Sequence, residues 1–203
     1  MTSHSAPLRI GILGTGNFAT ALAEAWARAG HSITVAGRSL AKAQAVGHAA
    51  VSPAELAAAS DVVLLAVSYD GLDELLALTD GSLRGAPLID ATNAVDFTTG
   101  RHKATSGSAA EHVAQTTGAH VVKALNLFAG TSWLTGADTR RTVAFCGDDP
   151  ATLALTERLI ADLGGSPALL GGLDRARLLE DVAGFVMRLV ATGHDPATAV
   201  PAV

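Results

Sequence analysis

Cysteine, aromatic residues and basic clusters are scarce in this sequence, and these shortages exclude several classes of protein. Cys146 is the one cysteine among 203 residues, so an internal disulfide is impossible and a reducing, cytoplasmic location is expected. The net charge is −5 and no basic run interrupts the chain, so we expect no nucleic-acid partner. Apolar runs such as residues 62–67 are too short to span a bilayer, so we expect no membrane insertion. Residues 1–7 lack a charged start before an apolar run, and we expect no signal peptide.

Residues 8–39 have the order of a βαβ dinucleotide-binding unit. An apolar run over residues 8–13 meets a glycine turn, a helical pattern follows over residues 17–29, and a second apolar run covers residues 33–36. A glycine turn between a strand and a helix is the context in which such turns bind phosphate. The alternative is a tight strand–helix turn that binds nothing.

The residues of the turn suit a pyrophosphate. Gly14 permits the sharp reversal after the strand, Gly16 lets the backbone approach the ligand, and Ala19 is the third small residue of the motif. The helix begins with free N–H groups and the positive end of its dipole, to which the side chains of Thr15 and Asn17 can add hydrogen bonds. We therefore predict a bound dinucleotide.

The end of the second predicted strand indicates which dinucleotide binds. NAD-selective folds usually place Asp or Glu about 20 residues after the glycines, but here Arg38 lies 22 residues after Gly16. A guanidinium can bind a 2′-phosphate with charge-assisted hydrogen bonds, while Ser39 can donate another and Lys42 adds positive charge. The pattern predicts NADP(H). The alternative is that Arg38 is a solvated loop residue.

Strand and helix patterns alternate along the rest of the chain. Further strands are predicted at residues 61–67, 87–90, 120–125, 142–146 and 166–170, and further helices at residues 39–46, 53–60, 69–78, 108–116, 149–163 and 173–190. We predict an α/β fold of Rossmann type, a doubly wound, mostly parallel sheet. The NADP-binding domain is placed at residues 1–145, with a small α-rich extension at residues 146–203 that can be continuous with it. The apolar face of the last helix suits core packing or a second subunit equally well.

Polar side chains follow several of these strands. Val67 and Ser68 come after one strand and Asn93 after another, where they would flank the ribose and nicotinamide, although Ser and Asn also cap turns. Lys123 and Asn126 end a third strand. Their spacing of three differs from the spacing of four in hydroxyacid dehydrogenases, so a structural role or a place at the edge of the substrate is expected rather than acid catalysis.

The longest irregular segment covers residues 95–107 and carries Arg101, His102 and Lys103 at its centre. Because it leaves the carboxyl end of a strand, it is either a lid or clamp for an anionic ligand or a mobile surface loop with solvated charges. The seven histidines show no metal-ligand spacing, so no metal is expected. Cys146 lies in an apolar run and is predicted to be a buried core residue.

The sequence resembles the NADPH-dependent reductases of the deazaflavin coenzyme F420 over nearly its whole length. The segments that carry the resemblance are GILGTGNFA, AGRS, SAAEHVA, VVKALN, FCGDDPATLALTERLIADLGG and RLLE. The resemblance implies a homodimer with a Rossmann fold and a small C-terminal α-rich part. It also implies hydride transfer between NADP(H) and a flavin-like ring.

The resemblance also implies roles for individual residues. The pyrophosphate would be held by Thr15, Gly16, Asn17 and Phe18, the 2′-phosphate by Arg38 with Ser39, and the nicotinamide would lie near Ser68 and Asn93. Lys123 and the loop at residues 101–103 would supply positive charge for the anionic tail of the acceptor. Hydride passes directly between two stacked rings, so the protein mainly positions them and excludes water.

Two segments depart from the F420 reductases. Those enzymes commonly carry a histidine and a proline where this chain has residues 123–128, and these residues look more like the ferric-reductase branch of the family. The tail at residues 193–203 lacks the apolar, glycine-rich pattern of the F420 reductases. The acceptor therefore stays open between F420 and another small molecule such as a quinone, imine, carbonyl or ferric chelate. A non-catalytic NADP(H)-binding module is the remaining alternative.

Overall fold

The computed structural model describes residues 6–104, 106–134 and 141–199, which form an eight-stranded sheet covered by helices. The strands are β1 (Arg9–Leu13), β2 (Ser32–Ala36), β3 (Ala49–Ala50), β4 (Val62–Leu65), β5 (Pro87–Asp90), β6 (His120–Lys123), β7 (Thr142–Gly147) and β8 (Ser166–Leu169). The α-helices are α1 (Asn17–Arg28), α2 (Leu40–Gln44), α3 (Pro53–Leu56), α4 (Leu72–Ala77), α5 (Ala109–Thr117), α6 (Pro150–Asp162) and α7 (Ala176–Ala191). Short 3-10 helices lie at Tyr69–Gly71, Gly130–Trp133, Leu173–Arg175 and Pro196–Thr198.

The strand order is β3-β2-β1-β4-β5-β6-β7-β8, and the strand pairs are parallel except for β6 with β7. Ile12 of β1 is paired with Val35 of β2 on one side and with Leu64 of β4 on the other. The chain leaves β1 in one direction and later returns to its other side, so the order reverses between β1 and β4. Ligands bind at such a switch point, outside the carboxyl ends of the strands. The predicted Rossmann-type, mostly parallel sheet is confirmed.

Each face of the sheet has its own apolar core. On one face, α1 and α6 pack over Ile12 and Leu64, and the indole of the fully buried Trp26 donates to the carbonyl oxygen of Leu159 at 3.1 Å. On the other face, α4, α5 and α7 pack over alternate strand residues such as Leu13 and Leu65. The period of two along each strand sends neighbouring residues to opposite cores, so both faces of the sheet are covered.

Most element boundaries agree with the sequence prediction, and the exceptions have local causes. The sequence did not predict β3, because two alanines carry neither an alternating pattern nor β-branched residues. Strand β6 ends at Lys123 rather than at residue 125, and Leu125 has a left-handed φ of 65° that turns the chain away. The helices predicted from residues 69 and 173 each begin with a 3-10 turn before the α-helix.

The sheet is continuous through the C-terminal part of the chain. The domain boundary predicted after residue 145 falls inside β7, and β8 extends the sheet beyond it. Cys146 of β7 is fully buried, which confirms its predicted place in the core, and burial raises the pKa of its thiol to about 12. Across the described ranges, the helices are all too short or too polar to cross a membrane.

Candidate dinucleotide and acceptor site

A cavity of about 750 Å³ lies at the carboxyl ends of β1, β4, β5 and β6. Its wall comes from the start of α1, from the segments that follow β4, β5 and β6, and from α7. Six predicted site residues lie in this lining: Gly16, Asn17, Phe18, Val67, Ser68 and Asn93. The parallel strands bring these residues together from positions up to 77 residues apart. Ligand binding by them stays a prediction.

The N-terminus of α1 fits a diphosphate. Gly16 is the residue before the first helical turn, it offers no capping side chain, and the first turn carries no acidic residue. A Cβ built on Gly16 would meet no protein atom within 4 Å, so open space faces this end of the helix. Backbone N–H groups and the positive end of the helix dipole therefore point to a space where an anion can lie.

The glycine turn is built for close packing as well as for binding. Gly14 has a φ of 145° and donates its N–H to the carbonyl oxygen of Ala36 at 2.9 Å. A Cβ on Gly14 would lie 2.1 Å from the carbonyl oxygen of Ala66, so no other residue fits there without movement. The Thr15 methyl group would lie 2.9 Å from a Cβ on Gly37, which places that side chain against the end of β2.

The predicted 2′-phosphate site lies at the end of β2, outside the cavity lining. Nη1 of Arg38 is 2.5 Å from Oε2 of Glu74 on α4, and a Cβ on Gly71 would lie 3.7 Å from the same nitrogen. Ser39 caps α2, where its Oγ accepts the N–H of Lys42 at 3.4 Å. The structure thus brings Arg38, Ser39 and Lys42 to the start of α2, and it pairs Arg38 with a carboxylate that the sequence reasoning did not identify.

Two asparagines hold each other at the inner end of the cavity. Nδ2 of Asn93 donates to the backbone carbonyl oxygen of Asn126 at 2.9 Å, and Nδ2 of Asn126 donates to Oδ1 of Asn93 at 2.8 Å. Nδ2 of Asn126 also donates to the carbonyl oxygen of Leu179 on α7 at 3.1 Å. These acceptors fix the orientation of both amides. Asn93 is therefore held in place where the nicotinamide is predicted to lie.

Residues 9–94 match the family model described as NADP oxidoreductase coenzyme F420-dependent. The chain is 30% identical over 179 residues to the metalloreductase STEAP3 of Rattus norvegicus. The match covers 86% of this chain and 36% of that protein, so the chain spans about a third of the length of this curated relative.

Solved structures share the fold over most of the chain. A crystal structure from Arthrobacter sp. FB24, provisionally named an F420-dependent NADP-reductase, has a TM-score of 0.80 at 25% identity and covers 92% of this chain and 96% of that one. A reductive aminase from Aspergillus terreus in complex with NADPH has a TM-score of 0.67 at 26% identity, covering 93% of this chain and 64% of that one. The resemblance found in the sequence is confirmed.

The chain is thus similar to NADP-dependent oxidoreductases in its family-model match, its curated relative and its structural neighbours. Lys123 is not placed as a source of charge for an acceptor. The side chain is 0% exposed, with Nζ 2.9 Å from Oδ2 of Asp90 and 2.8 Å from Oε1 of Glu180, and it also donates to the carbonyl oxygen of Thr92. Burial lowers the pKa of Lys123, but the charges and hydrogen bonds of the two carboxylates outweigh burial and raise it. Of the alternatives that the sequence left open, burial supports a structural role, and Lys123 is no longer a candidate to attract an anionic tail because its charge is neutralised inside the core.

The loop after β5 forms one wall of the cavity and packs on α7. Val95 and His102 form an antiparallel bridge, and the N–H of Asp96 donates to the carbonyl oxygen of Arg101 at 2.8 Å. A Cβ on Gly100 would lie 2.9 Å from a backbone oxygen of α7, so the tip of this hairpin packs directly on the helix. We call residues 95–104 the cavity hairpin.

The three charged residues of the cavity hairpin have different surroundings. Nζ of Lys103 lies 2.8 Å from both carboxylate oxygens of Asp70, and both residues line the cavity. Arg101 is exposed and outside the lining, whereas His102 turns inward to Glu180. The hairpin therefore contributes Lys103 to the site, already paired with an acidic residue.

Sequence reasoning missed the contribution of α7 to the cavity. Ala183, Val186 and Met187 line the cavity, as do Phe97 of the hairpin and Phe128 after β6. The apolar face of α7 was visible in the sequence, but a helical pattern does not say what the face covers. No local sequence pattern indicated that a helix from the end of the chain packs over the carboxyl ends of the strands.

Proposed function

We propose that the chain transfers hydride between NADP(H) and a flavin-like acceptor, with the deazaflavin coenzyme F420 as the leading acceptor. The observation that carries the proposal is the cavity, which joins an uncapped helix N-terminus to a slot rich in aromatic and aliphatic side chains. The F420-dependent family model and the Arthrobacter neighbour support the choice of acceptor.

In this proposal each part of the cofactor has its own group of residues. The pyrophosphate lies on the N-terminus of α1 at Gly14, Thr15, Gly16, Asn17 and Phe18. Arg38 binds the 2′-phosphate with help from Ser39 and Lys42, and Glu74 moves aside. Val67, Ser68 and Asn93 flank the nicotinamide, where Asn126 keeps the Asn93 amide from turning.

The chemistry needs positioning more than proton transfer. NADPH bound here would supply a hydride with both electrons and become NADP⁺, while the proton that completes reduction of the acceptor would come from solvent. The charged side chains of the cavity are held by other contacts, since Lys103 binds Asp70 and Asp96 accepts the backbone N–H groups of Thr98 and Thr99. The apolar walls exclude water and hold two flat rings face to face, which is what direct hydride transfer requires.

A second acceptor class is favoured by the charges around the cavity. The cavity lining contains three charged side chains, of which Asp70 and Asp96 are acidic and Lys103 is basic. Lys123 is buried in the core and cannot contact a ligand in the cavity. Such a lining gives little attraction to a polyanionic tail and suits a compact, uncharged acceptor such as an imine or carbonyl. The NADPH-bound reductive aminase among the structural neighbours supports this alternative, and the metalloreductase supports a ferric chelate.

A cytoplasmic homodimer is part of the proposal. The single, free and buried Cys146 supports a reducing compartment. The exposed side chains of Leu178, Phe185 and Val190 on α7 support contact with a second copy. Sedimentation velocity should give twice the mass of 20.4 kDa, whereas a monomer at micromolar concentration would remove the dimer from the proposal.

The test mixes the purified protein, NADPH and oxidised F420 and follows the visible absorbance of the deazaflavin. Catalytic loss of that absorbance with formation of NADP⁺ is the expected result. Parallel reactions with a cyclic imine, a quinone and a ferric chelate separate the alternatives. If NADPH binds tightly and none of the acceptors is reduced, the chain is a binding module rather than an enzyme of this class.

A further inference from the structure

Four titratable side chains meet in the protein interior next to the cavity walls. Asp90, Lys123 and Glu180 are 0% exposed, and the side chain of His102 is 7% exposed. Lys123 lies between the two carboxylates, and Nε2 of His102 is 3.0 Å from Oε2 of Glu180. Glu180 precedes the cavity residue Ala183 by three positions on α7, so the cluster adjoins the cavity.

The donors that surround Glu180 favour the carboxylate form of its side chain. Its Oε1 faces Nζ of Lys123 at 2.8 Å and the N–H of Ala109 at 3.0 Å. Its Oε2 faces the N–H groups of Ala109 at 3.1 Å and Ala94 at 3.4 Å, besides the His102 ring. Ammonium and backbone N–H groups are donors only, so both oxygens act as acceptors.

The hydrogen bonds of His102 then require two ring protons. Its Nε2 faces the ionised Glu180, and its Nδ1 lies 3.2 Å from the carbonyl oxygen of Ala104. Both partners only accept, whereas a neutral imidazole has one N–H to donate. With Glu180 as a carboxylate, the imidazolium form is the one that satisfies both contacts.

Charge balance requires one further proton in this cluster. One ammonium and two carboxylates leave a net negative charge in the interior, and an uncompensated buried charge is strongly unfavourable. A protonated His102 brings the cluster of Asp90, Lys123, Glu180 and His102 to neutrality.

His102 belongs to the cavity hairpin, and Glu180 belongs to α7, so their contact joins two walls of the cavity. Other contacts also hold the hairpin against α7: Gly100 packs on the backbone of α7, and Nη1 of Arg188 donates to the carbonyl oxygen of Thr98 at 3.3 Å. Unlike these, the His102–Glu180 contact is buried and involves a carboxyl group.

We propose that His102, as an imidazolium, is the positioning residue that fixes the cavity hairpin against α7 and so shapes the acceptor side of the site. The assignment of this side to the acceptor rests on the proposed function. Glu180 is the charged group in direct contact with His102, and Lys123 of β6 and Asp90 of β5 lie behind it. The neighbouring Lys103 binds Asp70 instead, and the carboxylate of Asp96 accepts backbone N–H groups. Loss of the ring proton leaves the cluster negative and loosens the hairpin.

The first test reads the proton directly, without a variant or a ligand. Long-range ¹H–¹⁵N spectra of the ¹⁵N-labelled protein should show both His102 ring nitrogens protonated at pH 7. The backbone N–H of Asp96 donates to Arg101, and that of Lys103 donates to Ala94 at the base of the hairpin. Hydrogen exchange of these two amides, relative to core amides of β5 and β6, should accelerate as the His102 ring loses its proton. A neutral His102 in the folded protein at pH 7, or hairpin exchange that does not follow its titration, would overturn the proposal.

The second test uses His102→Gln, with His112→Gln as the matched control on the exposed ion pair with Asp73. In His102→Gln the KM for oxidised F420 should rise roughly tenfold, the loss expected for one charge-assisted hydrogen bond, while the Kd of NADPH stays within about twofold. Adding Glu180→Gln removes the buried imbalance and should recover thermal stability lost by the single variant. A double variant less stable than His102→Gln, or equal KM changes in variant and control, would contradict the proposal. Failure of F420 as a substrate would defeat the proposed function and leave the proton measurement valid.

Discussion

Arg38 and Glu74 form an ion pair at the corner of the sheet, with Nη1 and Oε2 2.5 Å apart. Their side chains are 52% and 64% exposed, and pairs of this kind contribute little stability in water. A 2′-phosphate carries more charge than a carboxylate and can take the guanidinium from Glu74. In the proposed complex Glu74 gives up the guanidinium but stays close enough to repel the phosphate, so we expect it to weaken the binding that Arg38 provides.

Replacing Glu74 with Gln should therefore strengthen the binding of NADPH. Removal of the competing carboxylate should lower the Kd of NADPH by roughly two- to fivefold and leave that of NADH unchanged. Titration calorimetry at low and high salt measures both constants, and the gain should shrink at high salt. Glu24→Gln removes the same charge from the exposed surface of α1 and serves as the control. An equal gain for both cofactors would show that the pair has no part in phosphate recognition.

The two glycines of the turn should respond differently to alanine. A Cβ on Gly16 meets no protein atom, so Gly16→Ala should keep the stability of the free protein while it occupies the space of the pyrophosphate. A Cβ on Gly14 would lie 2.1 Å from a backbone oxygen at a φ of 145°, so Gly14→Ala should lose more than about 1 kcal/mol of unfolding free energy. Melting curves with and without NADPH distinguish the two. Unchanged NADPH binding in Gly16→Ala would place the pyrophosphate elsewhere.

The sequence predicted the glycine turn and its neighbours better than the walls of the cavity formed by the hairpin and α7. Residues 8–39 are local in sequence, and strand, turn and helix follow one another with their own signals. Glu180 and His102 are 78 residues apart, and Asn126 reaches Leu179 across 53 residues, so only the folded sheet brings them together. The sequence left the role of Lys123 open for the same reason, since a lysine at a strand end is usually exposed unless distant carboxylates are buried with it.

Lys123→Met should destabilise the protein strongly. The change removes the cation between Asp90 and Glu180 and leaves two carboxylates facing each other in the core, which costs about 3–5 kcal/mol in comparable buried ion clusters. Urea unfolding measures the loss, and Lys42→Met on the exposed face of α2 is the control. A loss below about 1 kcal/mol would mean that Lys123 is not held as the structure describes.

Cys146 should be inert in the folded protein and should make stability fall at high pH. Burial raises the pKa of its thiol from 9.0 to about 12, so little thiolate is present at pH 8. Ellman's reagent should label it only after denaturation. Because the unfolded thiol ionises first, the folded state should lose stability as pH rises from about 9 towards 12, and Cys146→Ala should lack this part of the decline. Rapid labelling of the native protein would contradict the burial of the thiol.

The most direct test of the account is the Kd of NADPH and of NADH for the wild type and for Arg38→Ala. In Arg38→Ala the Kd of NADPH should rise by roughly 10- to 150-fold, which corresponds to the free energy of one hydrogen bond to a charged group. The Kd of NADH should change little. Equal losses for both cofactors, or unchanged NADPH binding, would contradict the assignment of the 2′-phosphate to Arg38.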